Sequence, residues 1–562
     1  MKQKNILIIT LIFSFITYNL SFAQAPSWLW AKNFSTYIYC LSTDKDGDIY
    51  ACGDFGGTIK FDSIELKVNG DKSQMYIVKF SPEGKALWAK TTEYDSGSGF
   101  SRARALAIDL EGNVYVTGMF NYYCKFGKYK LTVKGNPLET ADAFIVKYSS
   151  DGELIWATSA GGECGYIESW AIDSDTEGNI FFTGNFTAKS IKFDTLTINA
   201  YQNSCQGMYP EIFIAKYNTN GKALWAKAIN GNDFDLSYGV ATDNKNNVYI
   251  TGHSLSKSVK IENDIFPLSN SRDMLLVKFN SEGKLLWMNN KYGIETYSVT
   301  TDSKGNSIVC GEFMKDTLIM NKDTLFREHS KMFTAKYSPG GDIKWAKTAT
   351  KGKYAYVLPV TTDSLDNVYI GGWFTKQPFI YDTINISGSK GNFITKYDSS
   401  GNFIWVKSVK GAERLRSIHC DKIGNIYSAG EFTVSELLFD TIVLLQNNKQ
   451  GFIAKLAPSL FTTIKSAPET KTDLLLYPNP CTDELYINVS HFGNVKHLIT
   501  VYDIHGTAIF QTQTTYNTQT QSPQNAQTQA TLTINTRSFP PGLYLTRIQS
   551  SNSTTTRKFI KF

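Results

Sequence analysis

Ala105-Leu106-Ala107-Ile108-Asp109-Leu110-Glu111-Gly112-Asn113-Val114-Tyr115-Val116-Thr117-Gly118 is one of seven copies of a phrase that runs through this chain. A short apolar strand leads into an Asp-x-x-Gly-Asn turn, and a second strand ends on glycine. The turn aspartates are Asp44, Asp109, Asp175, Asp243, Asp302, Asp363 and Asp421, and the fourth turn position holds Gly47, Gly112, Gly178, Asn246, Gly305, Asp366 and Gly424. Gly, Asn and Asp tolerate a left-handed backbone, so this slot predicts φ > 0 and a tight hairpin. The leading Asp is suited to accept hydrogen bonds from turn amides. Asp44-Lys45-Asp46-Gly47-Asp48 opens like a calcium loop, but the Glu that such a loop needs does not follow. The strand glycine recurs at Gly53, Gly118, Gly184, Gly252, Gly311, Gly372 and Gly430. Glycine inside a strand marks a bulge or the close approach of another backbone.

Each copy continues in the same order. An excursion, often containing Phe-Asp as at Phe61-Asp62, Phe193-Asp194 and Phe439-Asp440, reads as a small inserted hairpin. A third strand follows, as in Phe144-Ile145-Val146-Lys147-Tyr148, and its lysine recurs at Lys79, Lys147, Lys216, Lys278, Lys336, Lys396 and Lys455. That lysine reads as a solvated or salt-bridged strand residue, for which the turn Asp of its own repeat is one available partner. A glycine turn then leads to an outer strand carrying Trp30, Trp88, Trp156, Trp225, Trp287, Trp345 or Trp405, expected to pack between repeats. The spacing of roughly 60 to 70 residues belongs to repeat architectures. The Trp30 strand precedes the first turn, and the last repeat, ending at Lys455-Leu456, lacks its Trp strand. A ring needs such an offset to close. The expected fold is all-β: a seven-bladed β-propeller over 26–458, closed by the N-terminal strand. These residues resemble the bacterial β-propeller repeat family with its Asp-x-x-Gly-Asn-x-Tyr-x-x-Gly signature, a motif that specifies a fold and leaves function open.

The chain has 562 residues, 42% of them apolar and 14% aromatic, with a net charge of +6. That composition suits a β-rich globular protein, and no dense Lys/Arg block points to nucleic acid. Lys2 and Lys4, the apolar run Ile6 to Tyr18 and Ser21-Phe22-Ala23 form a signal peptide, 1–23, so no transmembrane helix is expected after processing. Among eight cysteines no metal spacing occurs. Cys52 and Cys310 read as small buried residues, and Cys164 and Cys205 are the best disulfide candidates.

After Pro458 the repeats stop. A polar linker spans 459–473, and a small antiparallel β-sandwich is expected over 474–562, with Gln511 to Ala530 as a loose Gln/Thr-rich hairpin loop. Pro478, Asn479 and Pro480 open this segment; Tyr502, Asp503 and Gly506 form a strand and turn; Gly542 and Tyr544 begin a later strand; Lys558 lies in the basic last one. Together these resemble the C-terminal sorting domain of the type IX (Por) secretion system of Bacteroidota-type bacteria. The resemblance implies that the secretion machinery is a partner of the tail. It also implies passage through periplasm and outer membrane, removal of the tail, and a secreted or cell-surface destination.

Catalytic motifs are missing: no H-E-x-x-H, G-x-S-x-G, P-loop or G-x-G-x-x-G occurs, and no cofactor or metal is expected. His253, His329 and His419 come from separate repeats and read as loop or packing residues. What varies lies between the outer strand and the next repeat: Arg102, Arg104, Tyr166, Asp233, Tyr238, Tyr297, Tyr354 and Arg414. Exposed loops on a rigid scaffold carry binding, and Tyr and Arg favour interfaces. The expectation is a binding module for an extracellular glycan or protein. The alternatives are an extracellular hydrolase or lyase with its site on the same face or in the central channel, and a purely structural matrix protein.

Overall fold

The structure is a computed structural model that describes residues 25–458 apart from 69–71, 94–98, 202–208, 353 and 447–449. Beyond these it describes 476–477, 481–488, 496–502, 508–515, 531–540, 542–549 and 554–561. The expected signal peptide and linker fall outside the described residues. Two compact units divide the chain, Met1–Leu460 and Phe461–Phe562. Among the described residues every regular element is a strand.

The first unit is a propeller-type array of antiparallel sheets. Ser101–Ile108, Val114–Phe120, Asp142–Tyr148 and Leu154–Gly161 form one four-stranded sheet in chain order. Five more copies are built in the same order. A further sheet holds Ala412–Cys420, Ile426–Phe432 and Gly451–Leu456, and takes its fourth strand from the other end of the chain. Trp28–Phe34 pairs antiparallel with Gly451–Leu456, Trp30 opposite Lys455.

First strands pack on one another from sheet to sheet, stitched by hydroxyls. Ser174 Oγ donates to Ile108 O (2.9 Å), Thr242 Oγ1 to Ser174 O (2.9 Å), Thr301 Oγ1 to Thr242 O (2.6 Å) and Thr362 Oγ1 to Thr301 O (2.9 Å). Between Cys40–Thr43 and Ala412–Cys420, Leu41 N donates to Ser417 Oγ (3.1 Å).

The turn chemistry is as read. Gly47, Asn246 and Asp366 have φ of 84°, 60° and 62°. Asp175 Oδ1 accepts the amides of Glu177 (3.0 Å) and Asn179 (2.9 Å), while its Oδ2 lies 3.1 Å from Lys216 Nζ. Lys79, Lys147, Lys278, Lys336 and Lys396 pair with Asp44, Asp109, Asp243, Asp302 and Asp363 at 2.7–3.4 Å. Six sheets then tie to the next. Lys216 Nζ (3.3 Å) and Trp225 Nε1 (3.1 Å) donate to one carbonyl, Ser281 O, in the outer turn of the following sheet. Lys147 and Trp156 share Thr219 O, and Lys455 and Trp30 share Pro82 O. The indole slides under that turn's glycine: a Cβ at Gly283 would lie 2.8 Å from the Trp225 ring. Packing between sheets therefore accounts for the repeated Trp.

The strand glycine answers a bulge in the first strand. A Cβ at Gly118 would lie 1.9 Å from Arg102 O, and one at Gly252 1.8 Å from Leu236 O. Register shifts fall between Ala103 and Ala105, Ser169 and Ala171, Ser237 and Gly239, and Thr296 and Ser298. Pairing resumes beyond the bulge, so the first strands are longer than the apolar run predicts. Arg102, Arg104, Tyr238, Tyr297 and Arg414, expected in loops, lie in these strands.

The Phe-Asp excursions are hairpins, with Asp62, Asp194 and Asp440 at φ of 51–52° in their turns. Two of the excursion hairpins pair with the preceding sheet: Ser190–Phe193 with the outer strand Leu154–Gly161, and Ser258–Ile261 with Ala223–Gly231. Lys32 in the N-terminal strand reaches Asp62 at 2.8 Å in the same way.

The second unit has a sheet of Leu476–Tyr477, Glu484–Asn488 and Thr531–Asn535 and another of Ala508–Thr515, Lys496–Tyr502, Gly542–Gln549 and Thr554–Lys561. Leu485, Ile487, Ile499, Val501, Ile534, Tyr544, Ile548 and Phe559 form its core. Residues 511–515, expected in the loose loop, continue a strand paired with Lys496–Tyr502. Their alternating Gln and Thr suit a half-exposed edge, where β-branched threonine is favoured.

Removing one partner of a buried ion pair leaves an uncompensated charge, at a cost of about 3–5 kcal/mol. Asp175→Ala is therefore expected to lower stability by about that much, and Asp398→Ala, in an exposed outer turn, by under about 1 kcal/mol. Urea denaturation followed by tryptophan fluorescence checks this; equal losses would contradict the role given to the buried pair.

Candidate functional site

The bulge places one residue of each first strand at the same depth, five positions before the turn Asp: Tyr39, Arg104, Trp170, Tyr238, Tyr297, Leu358 and Arg416. All seven line one cavity of about 590 Å³. Six are aromatic or arginine, and neighbours touch in succession. Tyr39 lies between two guanidinium groups, Arg104 at 5.2 Å and Arg416 at 5.3 Å from its ring centre. The other side of Arg104 rests on Trp170 at 4.8 Å. Trp170 meets Tyr238 edge-on at 5.8 Å, and Tyr238 meets Tyr297 edge-on at 6.0 Å.

Carboxylates behind this wall hold the cations. Arg104 donates through Nε (2.8 Å) and Nη2 (2.7 Å) to Glu168 Oε1. Arg416 pairs with Glu431, and Arg272 with Glu295. Tyr297 OH donates to Glu295 Oε2 at 2.6 Å. His253 stacks on Tyr238 with ring centres 5.8 Å apart; burial, helped by Arg272, pulls its pKa down to about 4 and keeps it neutral. Burial pushes the Tyr39 and Tyr297 hydroxyls up, so both stay protonated donors.

Three positions before the turn Asp stand Leu41, Leu106, Ile172, Val240, Val299, Val360 and Ile418, all aliphatic. They line the cup and also a second cavity of about 400 Å³, and no other residue lines both. An aliphatic collar therefore separates the two. The second cavity carries Ser42, Asp173, Thr300, Thr361 and His419.

Three of the eight expected ligand residues, Arg104, Tyr238 and Tyr297, enter the cup. Arg102 stacks on Phe100 (4.9 Å), and Arg414 is exposed. Tyr166, Asp233 and Tyr354 sit just before their first strands, outside the cup. Tyr39 and Trp170 were not singled out from sequence; the constant five-residue offset to the turn Asp is the signal that finds them. Among the described residues no cluster of His, Cys, Asp and Glu is suited to a metal ion. Cys164 is disulfide-bonded, Cys205 lies outside the described residues, and Cys40, Cys52, Cys124, Cys310, Cys420 and Cys481 are free.

Residues 475–562 match the model of the secretion system C-terminal sorting domain. The chain carries a sorting tail. That tail marks the protein for export. Within it Tyr502 lies beneath Arg547 (5.2 Å), and buried Tyr544 donates its hydroxyl to Pro540 O. Gly542 and Lys558 lie in its strands, while Pro478, Asn479, Pro480, Asp503 and Gly506 lie outside the described residues. An uncharacterized WD repeat-containing protein of Acanthamoeba polyphaga mimivirus is 23% identical over 80% of this chain, which spans 37% of that relative. Among solved structures, the Dos1 propeller aligns over 77% of this chain and 94% of its own (7% identity, TM-score 0.39). A protein of unknown function from Dyadobacter fermentans aligns over 78% and 98% (8% identity, TM-score 0.32).

Burial raises three carboxyls of the repeat unit: Asp235 to about 7, and Asp142 and Asp173 to about 6. Their folded values exceed the ordinary Asp value of about 3.9, so the folded state holds protons that the unfolded chain has lost. The stability they contribute is present in acid and is lost as pH rises through about 6 to 7. The melting temperature is expected to fall between pH 5 and pH 8, and Asp235→Asn to flatten that fall. A melting temperature that rises over the same range would contradict the assignment.

Proposed function

We propose that this protein is an exported, non-enzymatic binding module that takes a glycan or protein ligand into the arginine and aromatic cup. The single observation that carries this reading is the cup itself. One register position, structurally equivalent in every repeat, is filled by Tyr39, Arg104, Trp170, Tyr238, Tyr297 and Arg416 around a cavity of ligand size. Positions that hold the fold repeat their residue; this one varies, as a recognition surface does. Arg102, Tyr166, Asp233, Tyr354 and Arg414 form its outer rim in this proposal. The wall carboxylates Glu168, Glu295 and Glu431 are engaged by arginines, which argues against a glycosidase pair.

The scaffold in this proposal is a seven-bladed propeller over 26–458, closed where the N-terminal strand completes the last sheet. The Trp30 and Lys455 bonds to Pro82 O and the Lys32–Asp62 pair support it, since they join the two ends of the repeat array as neighbouring repeats are joined elsewhere. Deleting residues 27–32 is expected to lower the melting temperature far more than deleting an equal length of an outer loop. A melt unchanged by the deletion would refute closure.

Export in this reading has two steps, signal-peptide removal after Ala23 and outer-membrane passage directed by the tail from residue 474. A chain truncated at residue 473 is expected to accumulate in the periplasm; its arrival in the medium at normal yield would refute that role. For the ligand, the exported protein is to be screened on glycan and protein arrays beside a polysaccharide-degradation assay. Binding without turnover, weakened about tenfold or more by Trp170→Ala, is expected. Product formation abolished by Glu295→Gln would instead establish the hydrolase or lyase.

A further inference from the structure

The cup narrows inward to the aliphatic collar, whose seven side chains also line the second cavity. We propose that the cup receives the end of an uncharged saccharide chain, seated end-on against that collar; this rests on the cup being the binding site. Three features of the molecule lead there.

Depth comes first. A polymer laid across an open face touches the protein along its length, whereas a cavity that narrows to a ring of seven Leu, Ile and Val side chains suits a terminus. The volume of about 590 Å³ is that of a small-ligand pocket and suits a few terminal sugars.

The walls come second. Trp170, Tyr238 and Tyr297 stand edge-to-face around the cavity and present flat apolar surface with polar tips. Such surfaces suit the C–H faces of a pyranose, with contact driven by removal of apolar area from water.

Charge comes third, and it selects the chemical class. Each cation at or behind the wall already has its counterion: Arg104 has Glu168, Arg416 has Glu431, and Arg272 has Glu295. A ligand carboxylate or sulfate would have to displace a wall carboxylate or lie beside it. A sugar hydroxyl meets the same pair without conflict, donating to the carboxylate and accepting from guanidinium N–H groups left over.

The test is calorimetric titration of the exported protein with cellohexaose, mannohexaose, xylohexaose and maltohexaose. Hexagalacturonate serves as the acidic probe, and cyclodextrin as a glycan without ends. The expected result is one neutral hexamer bound per protein, with affinity changing less than about threefold from trimer to hexamer. Hexagalacturonate and cyclodextrin are expected to bind at least about tenfold more weakly, as is the preferred hexamer to Tyr238→Ala, while Leu365→Ala, in an exposed turn, leaves affinity unchanged. If Tyr238→Ala does not fold, Trp170→Phe, which keeps the packing and narrows the platform, is expected to weaken binding about threefold. Affinity that climbs with chain length, equal binding of cyclodextrin, preference for hexagalacturonate, or no neutral hexamer bound at millimolar concentration each overturns the proposal. A ligand found on the arrays that is indifferent to both cup variants overturns instead the assignment of the cup as the binding site.

Discussion

The buried aspartate–lysine pair is the constraint around which six of the seven repeats are built. In Asp175 one oxygen gathers the turn amides and the other faces the Lys216 ammonium, so a single side chain shapes the hairpin and neutralises a charge inside the sheet. A buried charge is tolerated only when paired and hydrogen-bonded. The ammonium finds its remaining acceptor in the next sheet, at the carbonyl that also receives the indole N–H. Local turn geometry and contact between sheets are thereby satisfied by one group of atoms. This is why Asp, Lys and Trp change so little from copy to copy.

Where the fold demands nothing, the residues diverge. The bulge turns one side chain per first strand toward the cup, free of any partner in the sheet ladder. Tyr, Arg, Trp and Leu all occupy it. An aromatic row packed edge-to-face, beside arginines held by their own carboxylates, is near neutral and pre-organised.

Much of the repeat was legible because its signals are local. The φ > 0 slot at Gly47 or Asn246, the strand glycine at Gly118 and the lysine facing the turn Asp each follow from a few neighbouring residues. The cup was less legible for two reasons. A bulge breaks the alternation by which a strand is recognised, so Arg104 and Tyr238 read as loop residues beyond a short apolar run. The contacts that define their role are also remote in the chain: Arg104 meets Glu168 and Trp170 across a repeat boundary. In the tail, the polar composition around Gln511 masked an alternation of Gln and Thr that suits a strand.

The excursion hairpins carry one more implication. The outermost strand of any open sheet is a row of unsatisfied amides and carbonyls, ready to recruit the same strand from another molecule. At two of these edges the hairpin of the following repeat is laid against that row, Ser190–Phe193 on Leu154–Gly161 and Ser258–Ile261 on Ala223–Gly231. Each edge covered in this way is one fewer place where a second molecule could add its own strand.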